Sequence, residues 1–312
     1  MKFYLGVTDN NWFDFLSQMH PEDINFWQPS GSVNFKAILP GAPFFFKLKS
    51  PRNHIGGVGF FSSHTLLPLG IAWDTFLQRN GCGSYEEFRA RIQGYRRDGA
   101  TNPTIGCIVL TNPIFFKKED WLPAPADWGN SIVQGKGYDT QTPTGQDLWN
   151  KLSALIQKYL LDKPINKPGD GILSEADAPQ YGAAVLSKVR LGQGAFRVLV
   201  TDAYQRRCAI TGEKTLPVLE AAHIKSYAKS GPHALSNGLL LRSDMHKLFD
   251  AGYLTITQEH KIEVSSKIKE EFQNGREYYQ YHGQSLLYLP ADLGKRPGTQ
   301  YIQWHNENVY RS

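Results

Sequence analysis

The chain has 312 residues, is 41% hydrophobic and 12% aromatic, and carries a formal net charge of +5 with three cysteines. That length and apolar content suffice for two cores. No apolar run nears the roughly 20 residues a bilayer-spanning helix needs. The start MKFYLGVTDNNWFDF lacks an apolar signal segment and the cysteines are scattered, so neither secretion nor a membrane partner is expected and a reducing cytoplasm is.

In chain order, residues 42–50 (APFFFKLKS) and 54–63 (HIGGVGFFSS) are β-type runs punctuated by Gly and Pro. Residues 84–98 (SYEEFRARIQGYRRD) predict a helix capped by Ser84, with Glu87 three positions on. Residues 104–116 return to strand, and the Pro, Gly, Thr and Asp of 121–146 predict a long loop. Leu148, Leu152, Leu155, Ile156 and Tyr159 have helical spacing over 145–161, and 162–171 (DKPINKPGDG) reads as a linker. A helical pattern then covers 192–207, followed by strands over 215–224 and 238–242. A short helix over 243–252 is expected to be capped by Ser243 and ended by Gly252, and a hairpin follows it. The tail WHNENVY (304–310) is expected to pack through Trp304.

Charge is uneven along this order. Residues 1–180 hold 17 Lys+Arg against 17 Asp+Glu, whereas 181–312 hold 17 against 12. Between Lys188 and Lys247 there are ten basic and four acidic residues. A local basic excess suits a polyanion.

The stretch from Leu219 to Gly252 carries the chemistry. His246 and Asp250 are i and i+4 on a helix, so both leave one face and form a ligand pair for one divalent ion. His223 ends a strand beside them and is suited to act as a base. Asn237 opens the next strand, where its amide can pin the His223 loop. A metal with a neutral imidazole is a kit for hydrolysing phosphodiesters.

Residues 207–257, with EAAHIKSY, SNGLLLR and DMHKLFDAG, resemble the HNH (ββα-metal) endonuclease family, in its bacterial subgroup with an Ala-Ala-His-Ile core. The resemblance implies His223 as general base, Asn237 as the family's middle Asn, His246 and Asp250 as metal ligands, and Mg²⁺ or Mn²⁺ as the ion. Two departures stand out. The position before the base is Ala222, which cannot ligate; Glu220 shares its side of the strand and is expected to provide or support the missing ligand. In CAIT, Thr211 stands where a zinc knuckle needs its second cysteine, so Cys208 lacks a partner and no structural zinc is expected. Candidate phosphate contacts are Arg190, Arg197, Arg206, Arg207, Lys225 and Lys229.

Residues 24–61, with an Asn-aromatic segment, an LPG turn leading into FFFKLK and the strand IGGVGFF, resemble the PUA superfamily in its EVE and ASCH branches. The resemblance implies a small β-barrel that handles modified bases or RNA. Phe26, Trp27 and Trp73 are candidate aromatic walls of a base pocket, and Asn25, Ser30 and Asn53 candidate polar groups.

The expected architecture is α+β: a PUA-like β-barrel reader over 1–140, a linker with a helix over 141–180, and a ββα-metal (HNH) domain over 181–312. Together these imply a modification-dependent endonuclease acting on double-stranded DNA with modified cytosine, such as 5-methylcytosine or 5-hydroxymethylcytosine. One such site cuts one strand, so a double-strand break calls for a homodimer. The alternative is a nucleic-acid-binding protein, for modified DNA or RNA, whose HNH domain is degenerate, for which Ala222 argues.

Overall fold

The computed structural model describes residues 1–32, 34–129, 131–161 and 192–312. Arg190, the linker over 162–171 and the expected start of the second domain near 181 lie outside them. The chain divides into two compact units, Met1–Ala195 and Phe196–Ser312.

Three consecutive phenylalanines show how the first unit is built. On β3 (Pro43–Leu48) Phe44, Phe45 and Phe46 are all fully buried. Side chains alternate across a strand, so Phe45 packs with Phe3, Leu5 and Val58, while Phe44 and Phe46 pack with Trp12, Phe13 and Leu110 on the other face. A sheet covered on both faces explains a continuous apolar run where half-buried strands would alternate. One cover is α1 (Asn10–Met19), whose Trp12, Phe13 and Leu16 are buried and whose N-cap Asp9 accepts from the Asn11 and Trp12 amides. The other is α4 (Pro143–Leu161), which contributes Leu148, Leu152 and Ile156.

The remaining strands are β1 (Lys2–Thr8), β2 (Asp23–Gln28), β4 (His54–Pro68), β5 (Thr104–Phe115), β6 (Leu122–Pro123) and β7 (Gly135–Asp139). Their order is β2-β5-β4-β3-β1-β7, with β6 added to β4. Among the described strands only β1 and β3 pair in parallel. Register shifts at Phe46/Lys47, Val58/Phe60 and Phe61/Ser63 bend the long β4. Gly57 lets strands approach, since a Cβ there would lie 2.5 Å from the Ile114 carbonyl oxygen.

Two expectations are corrected here. Among the described residues the strand path is open, not a closed barrel: no pairing joins β2 to β7. The side chains of β2 instead bond to the turn Leu77–Asn80, with Trp27 Nε1–H donating to the Asn80 carbonyl and Asn25 Nδ2–H to Asn80 Oδ1. The stretch 121–146 is not one loop either. It contains β6, β7 and the start of α4, because Tyr138 carries an apolar ring into the core beside Phe3. Between β4 and β5 run α2 (Leu69–Phe76) and α3 (Tyr85–Tyr95), the latter capped by Ser84, which accepts from the Glu87 amide at 3.2 Å.

The second unit begins within α5, a helix spanning Gln193–Ala203, of which Phe196 and Val200 enter its core. β8 (Leu219–His223) and β9 (Gly238–Arg242) pair antiparallel, His223 opposite Gly238. α6 (Ser243–Asp250) follows directly and buries Met245 and Phe249. Ser243 is its first helical residue and makes no cap; the N-cap is Arg242. Gly252, at φ 79°, follows the helix end in a left-handed conformation that suits glycine. A Cβ there would lie 2.1 Å from the Val309 carbonyl oxygen. β10 (Leu254–Ile256) and β11 (Ile262–Val264) form the hairpin. Two short helices, α7 (Lys267–Phe272) and α8 (Arg276–Tyr279), precede the tail helix α9 (Thr299–Asn308). α9 packs through Ile302 and His305, both buried, rather than chiefly through Trp304. No helix of the described residues is long and apolar enough to cross a membrane.

His305 stacks on Phe249 at 3.8 Å, with Nε2 on the Phe249 carbonyl and Nδ1 on the Thr255 hydroxyl. Burial lowers its pKa to about 4, opposed by the Phe249 carbonyl. In the unfolded chain it titrates near 6.5. Between these values the unfolded state binds more protons, so stability falls as pH falls, by at most roughly 1.4 kcal/mol per pH unit for this group. Melting temperatures between pH 7 and pH 5 should therefore drop less steeply for His305→Gln than for the wild type. Equal slopes would assign the acid sensitivity to other groups.

Candidate active site

His223 stands at the end of β8 because the strand pairing stops there, and its ring is then held by side chains. It lies face to face on Phe196, centroids 3.9 Å apart and planes 12° from parallel. Its Nε2 is 2.8 Å from His233 Nδ1. Burial lowers its pKa to about 4, and electrostatic coupling to the His233 and His246 imidazoles lowers it further. At neutral pH the ring is therefore uncharged, the state a general base needs.

Asn237 is fully buried. Its Oδ1 accepts from the Lys225 amide at 2.8 Å, and its Nδ2 donates to the carbonyls of Lys225 and Pro232, each at 2.9 Å. These bonds tie both ends of the loop between β8 and β9 to one side chain. All of the amide's hydrogen-bonding groups face protein backbone, so its work is positional.

On α6, His246 Nε2 lies 3.3 Å from Asp250 Oδ2. Two donors about 2.1 Å from one ion and at right angles lie about 3 Å apart, so this pair fits adjacent positions around a Mg²⁺-sized ion. Glu220 is placed differently from the ligand reading. Its Oε2 is 2.6 Å from His246 Nδ1, the other ring nitrogen, so it does not converge with Asp250 on a shared point. A carboxylate on the far nitrogen of a ligating histidine orients the ring and raises its basicity. Among the described residues no three His, Cys, Asp or Glu groups are gathered as a metal cage. An ion held here would keep positions for water and phosphate. Asp250's carboxyl lies above its ordinary range through local desolvation, with His246 opposing and Glu220 adding to the rise. Two carboxylates around one imidazole leave negative charge that a cation would neutralise.

The basic candidates are scattered. Arg197 is half-buried on α5. Arg206 pairs with Asp202 at 3.2 Å, and Arg207 donates to the Tyr288 hydroxyl and lies over its ring. Lys225 Nζ sits 5.4 Å from the centre of the Trp304 ring, while Lys229 is exposed. Ala222 is fully buried in the core, and Cys208 Sγ accepts from the Thr211 and Arg242 amides.

In the first unit a cavity of about 980 Å³ is lined by Phe26, Trp27 and Ser30. The other three pocket candidates lie elsewhere. Asn25 is fully buried on Asn80, Asn53 accepts from Lys47, and Trp73 packs between Tyr85 and Phe88. Residues not anticipated also line the cavity, among them Tyr4, Gln28, Lys36, Tyr95 and Arg97. They come from separate segments, and local pattern does not connect them. His233 was likewise missed: a lone histidine in a polar loop has no periodic signal.

Residues 208–257 match the HNH endonuclease family model, and this segment holds His223, Asn237, His246 and Asp250. The chain thus contains an HNH endonuclease domain over residues 208–257. No curated protein matches the chain. Among solved structures, ASCH from Zymomonas mobilis is 11% identical, covering 49% of this chain and 94% of its own, with a TM-score of 0.33. A modification-dependent restriction endonuclease, TagI, is 13% identical, covering 93% of this chain and 76% of its own, with a TM-score of 0.30.

The two carboxylates on His246 are separable by calorimetry with Mn²⁺. Asp250→Ala and His246→Ala should each abolish measurable ion binding at the site. Glu220→Gln should weaken it about 10–100-fold, the usual cost of losing a group that orients a ligand. A Glu220→Gln variant as deficient as His246→Ala would make Glu220 a direct ligand.

Proposed function

We propose that the protein is a modification-dependent DNA endonuclease that cuts double-stranded DNA carrying modified cytosine, in the bacterial cytoplasm and against phage DNA. The observation that carries the nuclease half is His223, stacked on Phe196 at the end of β8, in the same ββα unit as the His246–Asp250 pair.

In this reading His223 takes the proton of a water that attacks phosphorus. Phe196 holds the imidazole plane, and Asn237 holds the loop that follows the base. A divalent ion on His246 and Asp250, Mg²⁺ or Mn²⁺, would supply stabilisation of the phosphorane charge and of the leaving oxygen. Glu220 keeps His246 in the tautomer that leaves Nε2 available. Lys229 and Arg197 contribute phosphate contacts. Double-strand cleavage uses two copies of the chain, each cutting one strand.

The first unit supplies selectivity. Phe26, Trp27 and Tyr95 offer aromatic faces for a flipped base, and Gln28 and Ser30 offer polar groups to read its edge. Lys36 and Arg97 lie on the same cavity and suit the flanking phosphates. The rival, a binding protein with a degenerate nuclease, draws on the missing ligand at Ala222, and the same experiment separates the two.

Phage DNAs bearing cytosine, 5-methylcytosine, 5-hydroxymethylcytosine or glucosylated cytosine are digested with Mg²⁺ or Mn²⁺. Cleavage should favour one modified DNA. His223→Ala should lower the rate about 10²–10⁴-fold with binding retained. Absence of cleavage by clean wild-type protein on every substrate would favour the binding protein.

Tyr95→Ala and Phe26→Leu should erode the preference for modified DNA while leaving ion-dependent nicking of plain DNA. If both variants discriminate as well as the wild type, the cavity is not the reader.

A further inference from the structure

We propose that His233 is a positioning residue for His223: it accepts a hydrogen bond from His223 Nε2–H and so leaves His223 Nδ1 as the atom that meets the water. This rests on the reading of His223 as general base.

The contact itself limits the protonation states. Two imidazole nitrogens 2.8 Å apart need one N–H and one lone pair between them. If His233 Nδ1–H were the donor, the His223 Nε2 lone pair would be occupied. A neutral His223 would then carry its proton on Nδ1 and have no free lone pair for water. If His223 Nε2–H is the donor, Nδ1 keeps its lone pair. Only the second arrangement yields a base.

The surroundings hold His233 where this bond needs it. Its ring stacks on Tyr227, centroids 4.4 Å apart and planes 14° from parallel. Its backbone follows Pro232, whose carbonyl accepts from Asn237 Nδ2. Asn237, His233 and His223 are therefore linked in series, and the buried amide acts on the base through the loop it clamps. The Phe196 stack fixes the plane of the His223 ring, and His233 fixes which nitrogen points where.

The bond also changes during the reaction. Once Nδ1 has taken the water's proton, His223 is an imidazolium, and its Nε2–H bond to neutral His233 becomes charge-assisted and stronger. The interaction is thus stronger in the transition state than in the ground state, the condition for accelerating the chemical step. The Nε2 proton stays on His223 throughout.

The test uses the full chain with Mn²⁺ and the preferred DNA, comparing His233→Phe, His233→Asn and His223→Ala. Phenylalanine keeps an aromatic ring on Tyr227 but cannot accept a hydrogen bond, whereas asparagine can accept one. We expect His233→Phe to lower kcat at least about tenfold with KM, DNA binding and melting temperature unchanged, and His233→Asn to recover most of the loss. A Phe variant within twofold of wild type beside an inactive His223→Ala would overturn the proposal alone. So would equal losses in the Phe and Asn variants. An active His223→Ala would overturn the underlying base assignment instead. Should His233→Phe not fold, ¹⁵N NMR of the wild-type imidazoles decides. His223 with its proton on Nε2 supports the proposal, and His223 with its proton on Nδ1 overturns it.

Discussion

The geometry of the nuclease half depends on one buried amide. Asn237 bonds the backbone at Lys225 and Pro232, closing the segment between β8 and β9 onto the strand ends. A buried polar group left without partners costs about 1–3 kcal/mol, so a fully paired one resists rearrangement. His223 and His233 lie near the two ends of that segment. Without the clamp, the fourteen residues 224–237 would join the base to β9 by an untied loop.

Strand pairing and helix geometry do the rest. The register that sets His223 opposite Gly238 and Glu220 opposite Leu241 starts α6 one residue after β9. Helical spacing then turns His246 and Asp250 to the same side. Glu220 reaches His246 from β8, so strand and helix each contribute one carboxylate around a single imidazole. The packing beneath is apolar. Met245 and Phe249 of α6 are buried with Ala222 and Leu239–Leu241, and Ala222 serves that core where a ligand might otherwise stand.

The first unit solves a different problem. Its central strands are apolar on both faces, so α1 and α4 must cover the sheet, and chemistry is confined to its margins. The cavity reflects this: its aromatic wall combines β2 (Phe26, Trp27) with the end of α3 (Tyr95) and β1 (Tyr4). Asn25, the residue before Phe26 on β2, is fully buried and donates to Asn80 instead.

The sequence by itself determined what short-range physics controls. Apolar runs punctuated by Gly and Pro, with cap and helical-spacing signals, placed β3, β4, β5, α3, β8, β9 and α6, since each is set by residues within a few positions. The ordered His, Asn, His and Asp were legible because the ββα unit is contiguous and its spacing is local. Tertiary structure alone decided the rest: the open strand path, β7 within an apparent loop, and Glu220 on the far nitrogen of His246. It also decided that His233 meets His223, and that Tyr95 rather than Trp73 lines the cavity. These depend on contacts between residues far apart in sequence, or on side-chain direction at a turn, and neither leaves a periodic trace in the chain.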